Sequence, residues 1–366
     1  MMRLSDVCNL WDDRLSEARD LRYKKLSIAY NTGNITLIRE ILDIDPVPIQ
    51  LQFLMKKATA DDNLNIIKLL LEYRADINYI YDDGDTILMT AAANGYMDII
   101  NYILENGADI NICSNKHNND YGATALMLAC MNGQTDTVDR LLKEPECDIN
   151  IKNKVGSTAL TYAVIFGQHN IIDKLIINGA DINTTNSSGD NLLCVAALNK
   201  NADMLVKLIN IGCNVNHQNY NGVTPLMYLC NSVYPTLNLI ELLFNNSSEV
   251  DVNICDNTGS AALTYASKHR FKDRVEFLLQ KGADASQQCT DEETNMFVFT
   301  TKSLPAQIVF SKIKALLGED GNPGKCISVF RKGRHNQRYC QSLAGNYDVY
   351  CKRCRSNKGK SEPVIL

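Results

Sequence analysis

The sequence predicts an all-α repeat solenoid, and three observations carry that reading. A Gly-x-Thr-x-Leu motif recurs with its glycines at Gly84, Gly122, Gly156, Gly189, Gly222 and Gly259, spaced 38, 34, 33, 33 and 37 residues apart. A period near 33 residues is the signature of stacked structural repeats. Each period closes on a variant of Gly-Ala-Asp-Ile-Asn, as at residues 107–111 and 179–183. Between these two landmarks lie two apolar patterns of helical spacing, so each period reads as a helix pair.

The elements follow in order along the unit that starts at Gly84. Thr86 is placed to cap a short helix by accepting a hydrogen bond from a free amide of its first turn. Leu88, Ala91 and Ala92 give that helix a narrow apolar face, small enough for neighbouring helices to approach closely. Gly95 is suited to end it in a left-handed conformation. Ile99, Ile100, Ile103 and Leu104 then mark a second amphipathic helix, which Gly107 stops. Asp109, Ile110, Asn111 and the polar residues beyond them carry turn chemistry, giving a projecting hairpin-like loop. One helix pair cannot cover its own apolar face, and stacking several supplies the cover.

These residues resemble the ankyrin family, whose unit is a β-turn followed by two helices with a Thr-Pro-Leu-His-x-Ala signature. The matching stretches are residues 86–91, 124–129, 158–163, 191–196, 224–229 and 261–266. Only the stretch at Thr224-Pro225 keeps the proline, and none keeps the histidine, so the inter-repeat hydrogen bonds that it makes in the family do not carry over, but six concordant units outweigh these departures. The resemblance implies stacked ankyrin-like helix-turn-helix units with projecting β-turn loops. Degenerate copies extend the array toward the N-terminus, through Ile66, Ile67, Leu69 and Leu70 and through Ala29, Gly33, Leu37 and Ile38.

The expected organisation is a helical N-terminal cap over residues 1–25 and an array of about eight units over 26–289, the first two degenerate. A terminal helix and linker over 290–324 and a basic, cysteine-rich tail over 325–366 complete it. The period is broken at residues 112–121, 143–147 and 231–250, where insertions would map to loops.

Charge divides the chain in the same place. The net charge is −5, but residues 325–366 carry ten Lys or Arg against two acidic residues, leaving residues 1–324 at −13. Such asymmetry points to different partners for the two parts. The tail holds Cys326, Cys340, Cys351 and Cys354, spaced x13, x10 and x2. A Cys-x-x-Cys pair closed by a second pair from a hairpin suits a structural zinc, which would replace the core that so polar a segment lacks. Unligated cysteines and a disulfide pair are the other readings. The tail also resembles a small cysteine element of proteins from large nucleocytoplasmic DNA viruses, through Cys326, residues 331–334, Tyr339-Cys340 and Tyr350-Cys351. That resemblance implies a viral protein that meets a host protein.

Catalytic signals are poor. Neither a Gly-x-x-x-x-Gly-Lys-(Ser/Thr) phosphate loop nor a Gly-x-Ser-x-Gly elbow is present, and the five histidines fall in turn positions. Asp109, Asp148, Asp181, Asp251 and Asp284 occupy one repeated position, where a carboxylate bonds local backbone. No cofactor is expected in the array. No stretch reaches the ~18 apolar residues of a membrane span, no secretory leader is read at the N-terminus, and the thirteen cysteines suit a reducing, intracellular compartment.

The function expected is therefore a non-catalytic protein-interaction scaffold. Its candidate contact residues are Leu128, Tyr162, Tyr228 and Tyr265 on the first helices and Tyr79, Tyr81, Tyr121, His217 and Tyr220 on the hairpin tips. Large aromatic or apolar side chains left in a groove are favoured anchors. Two alternatives are a nucleic-acid-associated protein using the basic tail and a substrate adaptor for a ubiquitin ligase, although the F-box-like segment of such viral adaptors is not seen.

Overall fold

The computed structural model describes residues 21–44, 48–115, 122–269 and 271–284. Residues 21–31 form α1, followed by α2 (Ile35–Ile44), α3 (Pro48–Ala60), α4 (Leu64–Glu72), α5 (Ile87–Asn94), α6 (Met97–Glu105), α7 (Ala125–Met131) and α8 (Thr135–Leu141). Next come α9 (Ala159–Ile165), α10 (His169–Ile177), α11 (Leu192–Asn199), α12 (Ala202–Asn210), α13 (Pro225–Asn231), α14 (Leu237–Asn246), α15 (Ala262–Lys268) and α16 (Lys272–Gln280). Odd-numbered helices are the first of each pair and even-numbered helices the second. The chain divides into two compact units, residues 1–187 and 188–366, the break falling inside a hairpin. In each, first helices pack on first helices and second on second, so every pair is covered by its neighbour.

First helices begin as the sequence predicts. Thr86, Thr124, Thr158 and Thr224 each accept from the backbone amide three residues on, at 3.3 Å. The residue standing where the family signature has histidine completes the cap in three repeats. Met89 Sδ and Met227 Sδ accept from the amides of Thr86 and Thr224 at 3.4 Å, and Thr161 Oγ1 accepts from Thr158 at 3.2 Å. The loss of histidine therefore leaves the helix start satisfied, through a thioether or a hydroxyl.

The links between repeats come from the asparagine that ends each unit. Asn78 Oδ1 accepts from the amide of Asp109 at 2.8 Å while Asn78 Nδ2 donates to Gly107 O at 3.3 Å. Asn111, Asn150, Asn216 and Asn253 repeat this bidentate grip on the next repeat's Asp148, Asp181, Asp251 and Asp284. Four aspartates of the expected series, Asp109, Asp148, Asp181 and Asp251, bond local backbone by accepting from the amide two residues on, and Asp76 does the same. Backbone bonds between successive hairpins add a second seam, with Asn115 N to Gly84 O at 3.1 Å and Ser187 N to Val155 O at 2.9 Å in the first unit, and Tyr220 N to Ser188 O at 3.1 Å in the second.

Turns between the two helices of a pair differ by unit. Gly33, Gly95, Gly133 and Gly167 close four of the five turns in residues 21–187 in the left-handed region. At Gly95 and Gly133 the amide ends of Gln134 and Gln168 from the next repeat lie close over the turn, and the left-handed backbone is what favours glycine there. In the second unit Lys200 adopts φ +56° at this position, a conformation costing a non-glycine residue about 1–2 kcal/mol. The following turn is expanded to residues 232–236.

Candidate interaction surface

Hairpins and first helices meet at a repeated polar knot. Asn153 Oδ1 accepts from the amides of Val155 and Ser157, at 3.1 and 2.8 Å, and its Nδ2 donates to Tyr162 Oη at 3.1 Å. Asn219 folds its hairpin the same way, and its Nδ2 reaches both Asp190 and Tyr228 Oη, at 2.8 and 2.9 Å. The Tyr228 hydroxyl donates to Asp190 at 2.8 Å. In the last repeat Tyr265 donates to Asp256 at 2.6 Å. Burial, then the neighbouring carboxylate, raises the pKa of Tyr228 and of Tyr265. Burial would raise Asp256 as well, but hydrogen bonds from Thr258, Tyr265 and Ser260 outweigh it and hold that carboxyl below its usual range.

This knot corrects several expected contact residues. Tyr162 is buried between its Asn153 bond and a stacked Phe166 ring, so its side chain packs rather than presents itself. Leu128 is buried because the first helices pack side by side, and Tyr81 is buried beneath Lys56 and edge-on to Tyr79. Tyr228 and Tyr265 are half-buried with both hydroxyls engaged. His217 is half-buried too, its Nε2 2.7 Å from Gly189 O. Tyr79 is exposed. Tyr121 lies outside the described residues, as do Cys326, Cys340, Cys351 and Cys354.

Of the expected residues that the structure describes, Tyr220 stands most openly, 72% exposed at a hairpin tip. Its ring crosses the backbone of Gly189, where an added Cβ would come within 2.7 Å, and its carbonyl accepts from Asn257 Nδ2 at 2.8 Å. The ring is thus exposed but held. Ile80 and Val155 stand exposed on tips of the first unit.

Phe166 was missed by the sequence reading. It is 47% exposed at the end of α9, with its ring 6.4 Å from Tyr162 and nearly parallel. Aligned repeats carry asparagine there: Asn94, Asn132 and Asn199 each bond the carbonyl four residues back, at 2.8, 2.9 and 3.0 Å. A phenylalanine replacing a helix-ending asparagine was a readable signal.

Among the described residues no group of three or more His, Cys, Asp or Glu is placed to hold a metal ion, and no helix is long and apolar enough to cross a membrane.

The family model for ankyrin repeats matches three times, over residues 26–114, 110–186 and 193–289. Most of the 366 residues are thereby accounted for, and the chain belongs to the ankyrin-repeat family. Proteins of this family are typically non-catalytic scaffolds for protein partners. No curated protein matches the sequence.

Proposed function

We infer that this protein is a non-catalytic scaffold that captures a protein partner on its hairpin tips and the exposed ends of its first helices. One observation carries the reading: Tyr220 is an exposed aromatic ring that lies over the Gly189 backbone, on a hairpin whose Tyr220 carbonyl is held by Asn257. A rigid aromatic side chain contributes contact area with little left to order on binding. Tyr79, Ile80, Val155 and Phe166 are the corresponding exposed groups of the first unit.

The test is capture from cell lysate by the full chain, by a 1–324 truncation and by Tyr220→Ala and Phe166→Ala. Partners kept by the truncation and lost from the substituted chains support a repeat-borne surface. Partners kept by both substituted chains and lost by the truncation would move recognition to the tail. A specific observation favours the tail as a second element, since its balance of +8 opposes the −13 of the remaining chain. Its four cysteines are proposed to hold one zinc ion, measured as bound zinc on the full chain against the truncation. Identifying the partner as a host protein rests on the tail's viral resemblance alone.

A further inference from the structure

The turns of the second unit form an edge that the repeat architecture does not need. Asn199 and Lys200 lead into α12, residues 232–236 join α13 to α14, and His269 follows α15. Two contacts set the three turns side by side: Lys200 Nζ lies 4.2 Å from the Tyr234 ring centroid, and His269 Nε2 lies 2.9 Å from Asn231 Oδ1. On this edge Val233 is 67% exposed, Tyr234 61% and Leu198 47%. Isolated exposed apolar side chains are ordinary, whereas a cluster on adjoining turns marks an interaction surface.

The loop bearing Val233 and Tyr234 is not slack. Arg274 of α16 is buried beneath it, donating from Nη1 to Cys230 O at 3.1 Å and Ser232 O at 2.6 Å, and from Nη2 to Tyr234 O. Thr236 Oγ1 donates to Leu229 O at 2.7 Å, and Tyr234 N to Ser232 Oγ at 3.3 Å. The apolar pair is therefore preorganised, which lowers the ordering cost of binding. Lys200 holds a left-handed backbone that glycine adopts in four turns of the first unit. Its ammonium gains the Tyr234 face in return, and retained strain of this kind clusters at functional sites.

Charge specifies the occupant. Lys200 and Lys268 are exposed on the edge and have no carboxylate within salt-bridge distance among the described residues. Lys272 pairs with Glu276 at 3.6 Å. The nearby acids, Asp203 and Asp273, sit in the first turns of α12 and α16, where the helix N-terminus favours them. We propose that Leu198, Lys200, Val233, Tyr234 and Lys268 form a second docking edge for a partner segment that presents an apolar side chain flanked by carboxylates. This rests on the reading of the protein as a protein-binding scaffold and adds a surface separate from the hairpin tips.

The probe is a displayed library of random twelve-residue peptides, selected on the full chain, with recovered peptides titrated against Tyr234→Ala, Lys200→Gln and Tyr220→Ala. Expected are peptides with an aromatic or aliphatic residue beside Asp or Glu. Their affinity should fall about tenfold or more on Tyr234→Ala, fall with added salt and on Lys200→Gln, and hold on Tyr220→Ala. Lys200→Gly, which removes the ammonium and relieves the backbone, keeps the test independent of folding defects and should weaken the same peptides. Peptides lacking the acidic-apolar pattern, or sensitive to Tyr220→Ala and indifferent to Tyr234→Ala, overturn the docking edge and leave the scaffold reading standing. Recovery of no peptide at all overturns the docking edge, while the scaffold reading stands or falls on the lysate capture.

Discussion

The two units solve one half of the repeat identically and the other half differently. On the hairpin side both use the same asparagine grip on the next repeat, with Asn150 in the first unit and Asn216 in the second making matching bonds at 2.9 Å. On the turn side the first unit closes four of its five turns with left-handed glycines and one with Asp62 at φ +53°, whereas the second has Lys200, an expanded loop and a buried arginine. A helix end leaves carbonyls unsatisfied. In the first unit glycine turns return amides to them, as Gly95 N does to Ala91 O at 2.9 Å. At α13 the donors come instead from Arg274 of α16, three helices further along. The hairpin side thus holds the fold and changes little, while the turn side is free to diverge once another donor covers the carbonyls.

Removing that donor should have the largest effect of any change considered. Arg274→Ala would strip the buried carbonyl of Cys230 and the part-buried carbonyl of Ser232 of their guanidinium donor and leave a cavity. Each unsatisfied buried acceptor costs about 1–3 kcal/mol, so a loss on the order of 3 kcal/mol is expected. Hydrogen exchange should show it as lost protection in α13–α16 with α3–α10 unaffected. Arg274→Lys should recover only part, because one ammonium cannot match the spread of the guanidinium donors. Equal loosening of both units would break the comparison.

The asparagine grip is the control, since it is common to both. Asn150→Ala and Asn216→Ala each remove one acceptor and one donor from a repeat junction and should each cost about 1–2 kcal/mol in urea unfolding. Similar losses would support a shared hairpin seam, and a difference beyond about 1 kcal/mol would show that the seam is not equivalent in the two units.

Legibility in the sequence follows the same division. Thr86, Gly95 and the Asp109 series were readable because their chemistry is local: a cap, a left-handed turn, a carboxylate over its own backbone. Phe166 and Asn78 were readable in principle, one as a departure from the repeat and the other as a constant within it. Tyr162, Leu128 and Tyr81 were misplaced because exposure depends on how neighbouring repeats overlap, which periodicity does not report. Arg274 gave no local signal, since its partners lie more than forty residues away in α13 and its loop.

Acid and alkali should separate the units as well. Asp256 has a depressed folded pKa, so its contribution is present above the unfolded value near 3.9 and is lost as pH falls through the folded one. Burial pushes Cys230 up to about 12 and Cys213 up to about 11. Their contribution is intact below the unfolded thiol value near 8.5 and is lost as pH rises toward 11–12. Cys194 is raised by burial too, placing three buried thiols in the second unit beside Asp256. The first unit has Cys130, raised by burial, and the half-buried Cys147, pushed up to about 11. Hydrogen exchange across pH should therefore show residues 188–284 loosening first at both extremes.

Thiol labelling supplies the smallest effect and the finest resolution. Of the cysteines in the described residues Cys113 is the exposed one and should react first among them at neutral pH, slowed by the upward push of its partial burial. Cys130, Cys194 and Cys230 are buried and protonated, so each should react only when its own repeat opens. Their labelling rates then read local opening repeat by repeat. In the wild type the three should be slow together. In Arg274→Ala, Cys230 should accelerate most because its carbonyl is one of those uncovered, Cys194 less, and Cys130 not at all. Acceleration of Cys130 matching that of Cys230 would mean that the units open as one body, and the difference between their turn edges would then carry no separate stability.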